Sequence, residues 1–82
     1  MFELSDIQKK LREIIKEIIS SPELVDNIGP YDELTSIGIN SISFVKIMVA
    51  IEQEYGIEVD DDDLDINKFK NLDGLVNYIS KT

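Results

Sequence analysis

Ser41 is the residue through which this chain is best equipped to do chemistry. It follows a long loop and opens an apolar stretch, Ser41 to Tyr55, whose spacing predicts a helix. A helix N-terminus has unpaired amides and the positive end of the helix dipole, so a phosphate esterified to a serine there is favourably placed. Such a serine is open to a modifying enzyme, and whatever it carried would project away from the body of the protein. Asn40 and Ser41 would also serve as ordinary helix caps and Gly38 as an ordinary turn residue, so each of them alone has a plain structural use.

What the chain lacks narrows the chemistry further. It has no cysteine and no histidine. Disulfides, thiolate metal sites and a cysteine nucleophile are excluded, and the commonest general base and metal ligand are missing. Any thiol chemistry needs a thiol brought in as a cofactor. A nucleophile elbow wants glycine two positions either side of its serine, where Ser41 has Ile39 and Ser43. An EF-hand beginning at Asp61 finds Asp63 and Asp65 but meets Ile66 in place of the glycine and Leu72 in place of the final glutamate. The sequence therefore predicts neither catalytic residues nor a metal site.

The elements that must position Ser41 are helical. Ile7, Leu11, Ile14, Ile15, Ile18 and Ile19 follow helical spacing, with Ser5 as the expected N-cap and Gln8 as its capping-box partner, giving a helix near 5–19 that stops before Pro22. Residues 22–40 read as a long connection punctuated by Asn27, Gly29, Pro30 and Gly38 and tacked down by Val25, Ile28, Tyr31, Leu34 and Ile37. The second main helix, 41–55, carries apolar residues around most of its circumference and is expected to be central, with Gly56 as a left-handed cap. The acids Asp60 to Asp63 suit the start of a short helical turn within 61–69 that sends Leu64 and Phe69 inward. Asn71 caps a last helix, 72–80, with Leu72, Leu75, Val76 and Ile79 inward. The class is all-α: one domain over residues 1–82, a small bundle of three main helices and one short helix.

The run Ile37-Gly38-Ile39-Asn40-Ser41-Ile42 continues in register through Val45, Ile47, Ile51, Glu52, Glu54, Tyr55, Gly56 and Ile57. Asp63 to Leu72 and Asn77-Tyr78-Ile79 extend the pattern downstream. Together these segments resemble the acyl and peptidyl carrier protein family over nearly the whole chain. The resemblance implies a discrete, non-catalytic carrier. Ser41 would be the attachment site of 4′-phosphopantetheine, installed from coenzyme A by a separate phosphopantetheinyl transferase. The thiol of that arm would hold acyl, aminoacyl or peptidyl cargo as a thioester, and loading and downstream biosynthetic enzymes would be the partners of a monomer. Asn40 stands where the family usually has aspartate, Lys46 and Gln53 where acids are frequent. The less acidic second helix counts against a fatty-acid role, and the pattern of Leu64-Asp65, Asn67-Lys68-Phe69 and Leu72 is more similar to discrete carriers of peptide- or polyketide-type specialised biosynthesis. A fatty-acid or D-alanyl carrier, or a passive helical interaction domain, are the alternatives.

Charge bears on those partners. The net charge is −9, and residues 1–20 hold four acids and four bases, so the whole excess lies beyond them. A negative surface disfavours nucleic acid and anionic lipid and suits basic protein partners. The expected partner surface combines Asn40, Ile42, Val45 and Lys46 at the start of the second helix with Glu52, Glu54 and the acids at 60–63 as steering charges. The N-terminal residues lack a signal-peptide pattern and the longest apolar run is Ile47 to Ile51, so the expected location is cytoplasmic.

Overall fold

A computed structural model describes residues 3–81. Helix α1 spans Leu4–Ile18, α2 Glu23–Asn27, α3 Ser41–Tyr55 and α4 Leu72–Ser80, with single 3₁₀ turns at Leu34–Ile37 and Asp61–Asp63. No strand occurs among the described residues, and no helix there is long and apolar enough to cross a membrane. The long helices α3 and α4 have the expected bounds, and α1 lies one residue upstream of expectation at each end.

That shift corrects the expected cap. Ile7 donates its amide to the Glu3 carbonyl, which closes the first turn upstream of Ser5, and Ser5 lies inside the helix. Gln8 points to the other end of its helical neighbourhood, where its Oε1 accepts from Arg12, and is not a capping-box partner. At the other end Ile19 is already extended, with φ −87° and ψ 158°. Pro22, at φ −60°, introduces the short helix α2 within the segment expected to be an irregular connection. A proline ring preset at this angle suits the entry of a helix.

Helix α1 is the hub, packed against α2, α3 and α4. This also corrects the expectation that α3 is central. Phe44, Ile47, Met48 and Ile51 of α3 are buried, whereas Ile42 is 70% and Val49 41% exposed, so α3 keeps one apolar face in water. Burial is otherwise as the periodicities require, with Ile7, Leu11, Ile14 and Ile15 of α1 meeting Leu72, Leu75, Val76 and Ile79 of α4 in a common core. Leu64 and Phe69 pack against that core from the segment between α3 and α4. Phe69 stacks on Phe44 at 6.2 Å between ring centres and takes the edge-on contact of Tyr78 at 5.1 Å.

The long connection is held by backbone and by one cation. The Arg12 guanidinium donates to the carbonyls of Val25 and Ile28, reaching from α1 to the connection. Asp73 donates its amide to Pro30, and Leu34 donates to Lys70. These bonds, with the burial of Val25, Ile28, Leu34, Ile37 and Ile39, convert residues 22–40 from a loop into a packed strap that delivers the chain to Ser41.

Candidate functional site

Four consecutive devices fix where Ser41 sits. The 3₁₀ turn ends at Gly38, whose φ of 89° is left-handed. A Cβ there would meet nothing within 4 Å, so it is the backbone angle and not space that asks for glycine. The Gly38 amide donates to Thr35 and the Ile39 amide to Leu34. Ile39 is then 2% exposed, a buried anchor immediately before the helix. Asn40 caps α3: its Oδ1 accepts from the Ser43 amide at 2.9 Å while Ser43 Oγ accepts from the Asn40 amide at 2.9 Å. Phe44, fully buried, donates its amide to the Asn40 carbonyl at 2.8 Å and locks the first turn onto the core.

Ser41 is thus the first helical residue, not the cap. It is exposed, and its hydroxyl makes no hydrogen bond among the described residues. The neighbouring serines are both occupied. Ser36 Oγ donates to the Glu33 carbonyl at 2.6 Å, and Ser43 Oγ is bound into the capping box. Three nearby hydroxyls therefore leave one nucleophile at a helix start, oriented outward, beside amides that the first turn leaves unpaired. The role of Ser43 was not legible in the sequence, because a capping box is ordinarily signalled by Glu or Gln at that position. Asn40→Ala removes the reciprocal cap, and chemical denaturation should register a loss of about 1 kcal/mol.

The residues expected to form the partner surface divide into two groups. Ile42 and Lys46 are exposed beside Ser41, with Val45 half-buried, and Val49 continues the same face at the next turn. Asn40 is exposed, but its side chain is committed to Ser43. Glu52 and Glu54 stand eleven and thirteen residues beyond Ser41 on the helix, on the order of 15–20 Å along its axis. Glu52 Oε2 accepts the Val59 amide at 2.9 Å and fastens the chain after α3. Glu54 lies 3.1 Å from Lys10 of α1. Its hydrogen bond, then its charge, raises the Lys10 pKa above the ordinary lysine value. The structure gathers Ile42, Val45 and Lys46 around Ser41 and gives both glutamates internal partners.

The acids at 60–63 are likewise partly engaged. Asp63 accepts the Tyr78 hydroxyl at 3.2 Å and lies 3.7 Å from Lys68, while Asp60 to Asp62 remain exposed. Burial, followed by the bond to Asp63, raises the Tyr78 pKa above the ordinary tyrosine value.

A small helical bundle that presents an exposed, unbonded hydroxyl at a helix start has the features of a modified carrier. Comparison with known proteins agrees. The family described as a phosphopantetheine attachment site matches residues 9–79. The chain is 36% identical over 78 residues to the acyl carrier protein of Thermobifida fusca, covering 93% of this chain and 92% of that one. It is 28% identical over 79 residues to the acyl carrier protein of Buchnera aphidicola, covering 94% of each. The chain belongs to the acyl carrier protein family, whose members are non-catalytic and bear covalently attached 4′-phosphopantetheine. The free Ser41 hydroxyl and the open helix start fit a phosphodiester at that point. When bound, the group supplies a terminal thiol on which cargo is held as a thioester.

Proposed function

We propose that Ser41 carries the arm and that the chain is a single-domain, discrete carrier in a peptide- or polyketide-type biosynthetic pathway. The observation that supports the site is the division of labour among Ser36, Ser41 and Ser43, of which Ser41 alone has an uncommitted hydroxyl. A phosphopantetheinyl transferase modifies it, and loading and downstream enzymes then dock on the adjoining face of α3. Incubation with coenzyme A and a broad-specificity transferase should add one phosphopantetheinyl group to the tryptic peptide containing Ser41. A passive interaction domain would gain no mass.

The pathway assignment rests on Lys46. The helix from Ser41 to Ile51 contains no acid, and Lys46 is its exposed cation, one turn beyond Ile42. Glu52 and Glu54, the acids farther along, are held by Val59 and Lys10. A cationic partner groove shaped for an acidic helix meets a like charge here. The relatives are named acyl carrier proteins, which suits fatty-acid use equally, and Lys46 divides the two readings. Lys46→Glu should raise association with fatty-acid synthase enzymes on the order of three- to tenfold at low ionic strength, with the gain shrinking as salt rises, and should impair transfer to the native partner. Wild-type protein that served fatty-acid elongation as efficiently as an ordinary fatty-acid carrier would overturn the specialised assignment.

A further inference from the structure

The Asn40 side chain has two polar ends, and only one of them serves the cap. Its Oδ1 accepts from the Ser43 amide at 2.9 Å and from Ser43 Oγ at 3.1 Å. A backbone N–H can only donate, so the atom facing Ser43 is the carboxamide oxygen, and Nδ2 is turned to the other side. Asn40 is exposed, and its Nδ2 donates no hydrogen bond among the described residues. An aspartate in the same conformation would make the cap equally well. What asparagine adds is a neutral donor next to Ser41, whose Cα lies about 3.8 Å away across a trans peptide.

The charge setting sharpens that contrast. No residue from Leu34 to Val45 is charged, so Glu33 and Lys46 are the nearest charges along the chain. Lys46 stands five positions beyond Ser41, about 140° around the helix from it. The hydroxyls of Ser36 and Ser43 are already used within the fold. A phosphodiester on Ser41 would bring a negative charge into this neutral stretch.

We infer that Asn40 is a positioning residue for the arm: its Nδ2 donates to the phosphodiester oxygens on Ser41 and holds the root of the arm at the start of α3, while its Oδ1 keeps the cap. The role rests on the assignment of the arm to Ser41. One planar carboxamide thus ties the helix start and the attached group together through its opposite ends. Aspartate, almost the same shape, would turn an anionic oxygen toward the phosphate in place of the donor, and like charges would push the root away. Hydrogen bonds to an ionised acceptor are strong, but exposure to water keeps such a contact to a few-fold effect on an equilibrium.

The test compares Asn40→Asp with the unaltered chain, each before and after loading from coenzyme A by a phosphopantetheinyl transferase. Tryptic mapping first establishes whether Ser41 carries the added mass, and modification at another residue would remove the basis of both the site assignment and this inference. Before loading, the two proteins should unfold at closely similar urea concentrations, because the cap is retained. Loading should raise the folded-to-unfolded ratio of the unaltered chain about two- to fivefold relative to that of Asn40→Asp at low ionic strength, with the difference narrowing as salt rises. In nitrogen-15-labelled protein the Asn40 side-chain amide protons should move downfield on loading and exchange more slowly with water, changes that a capping role alone would not produce. Loading that left those resonances in place and altered both proteins equally would overturn the inference and leave Ser41 as the attachment site. An effect abolished by Lys46→Gln and untouched by Asn40→Asp would overturn it as well, by giving the phosphate to the cation.

Discussion

Ser41→Ala should abolish phosphopantetheinylation outright while changing the stability of the fold by no more than about 0.5 kcal/mol. The two halves of that result have separate causes. Modification is lost because the only uncommitted hydroxyl at the start of α3 is gone, and Ser36 and Ser43 keep theirs bound to Glu33 and Asn40. Stability is retained because the cap is made by Asn40 and Ser43, and Ser41 contributes no side-chain hydrogen bond to it. Ser43→Ala is the informative contrast. It should keep the modification and lose cap stability, about 1 kcal/mol in a denaturant titration. Mass spectrometry of both variants, with circular dichroism as the check on helicity, separates attachment from capping. Full modification of the Ser41→Ala protein would move the site to another residue.

Much of this arrangement was legible in the sequence, and the exceptions have a common physical origin. Helix α4 and its Asn71 cap were readable because a cap and an amphipathic period lie within a few residues of each other, and the Gly74 amide does donate to Asn71 at 2.9 Å. The start of α3 and the left-handed Gly56 at φ 65° were readable for the same reason. Helix α2 was not, because five residues give too little periodicity to register and Pro22 reads equally as a breaker or as a helix entry. Its stability comes instead from burial of Val25, from Arg12 and from the Lys16–Asp26 pair at 2.6 Å, all of them contacts with α1 across the chain.

The same distinction applies at the site. Ser41 stood out through its position, but the discrimination among Ser36, Ser41 and Ser43 depends on hydrogen bonds that only the folded turn creates. Charge was misleading where it was read as surface alone. Arg12 and Glu52 are charged helix residues, yet each fastens backbone from a neighbouring segment. A long side chain can reach back over its own helix to a buried carbonyl or amide, and periodicity contains no information about that reach. The outcome matters for function because the acids expected to steer partners are partly spent on the fold, which leaves the Ser41 end of α3 apolar and slightly basic.

The largest loss of stability is expected from Phe44→Ala, about 3–5 kcal/mol. Phe44 is fully buried at the first turn of α3, and its ring stacks on Phe69, which in turn meets Tyr78 of α4. Removing it opens a cavity beneath the start of α3 and takes away one of the contacts that hold residues 61–69 against the bundle. For a domain of 82 residues the whole stability is roughly 4–12 kcal/mol, so this one change removes about a quarter or more of it. Urea titration should therefore show a sharply lowered midpoint. The backbone bond from Phe44 to Asn40 depends on the same turn, so the loss should reach function as well: the rate of modification at Ser41 falls with the folded fraction, although the hydroxyl itself is untouched. Trimethylamine N-oxide favours compact states by exclusion from the protein surface and should restore both helicity and modification together. Ser41→Ala gains nothing from the same treatment, which separates a residue that holds the site from the residue that reacts. A loss below about 1 kcal/mol for Phe44→Ala would mean that the core closes over the cavity, and the aromatic stack would then not be what ties the site to the bundle.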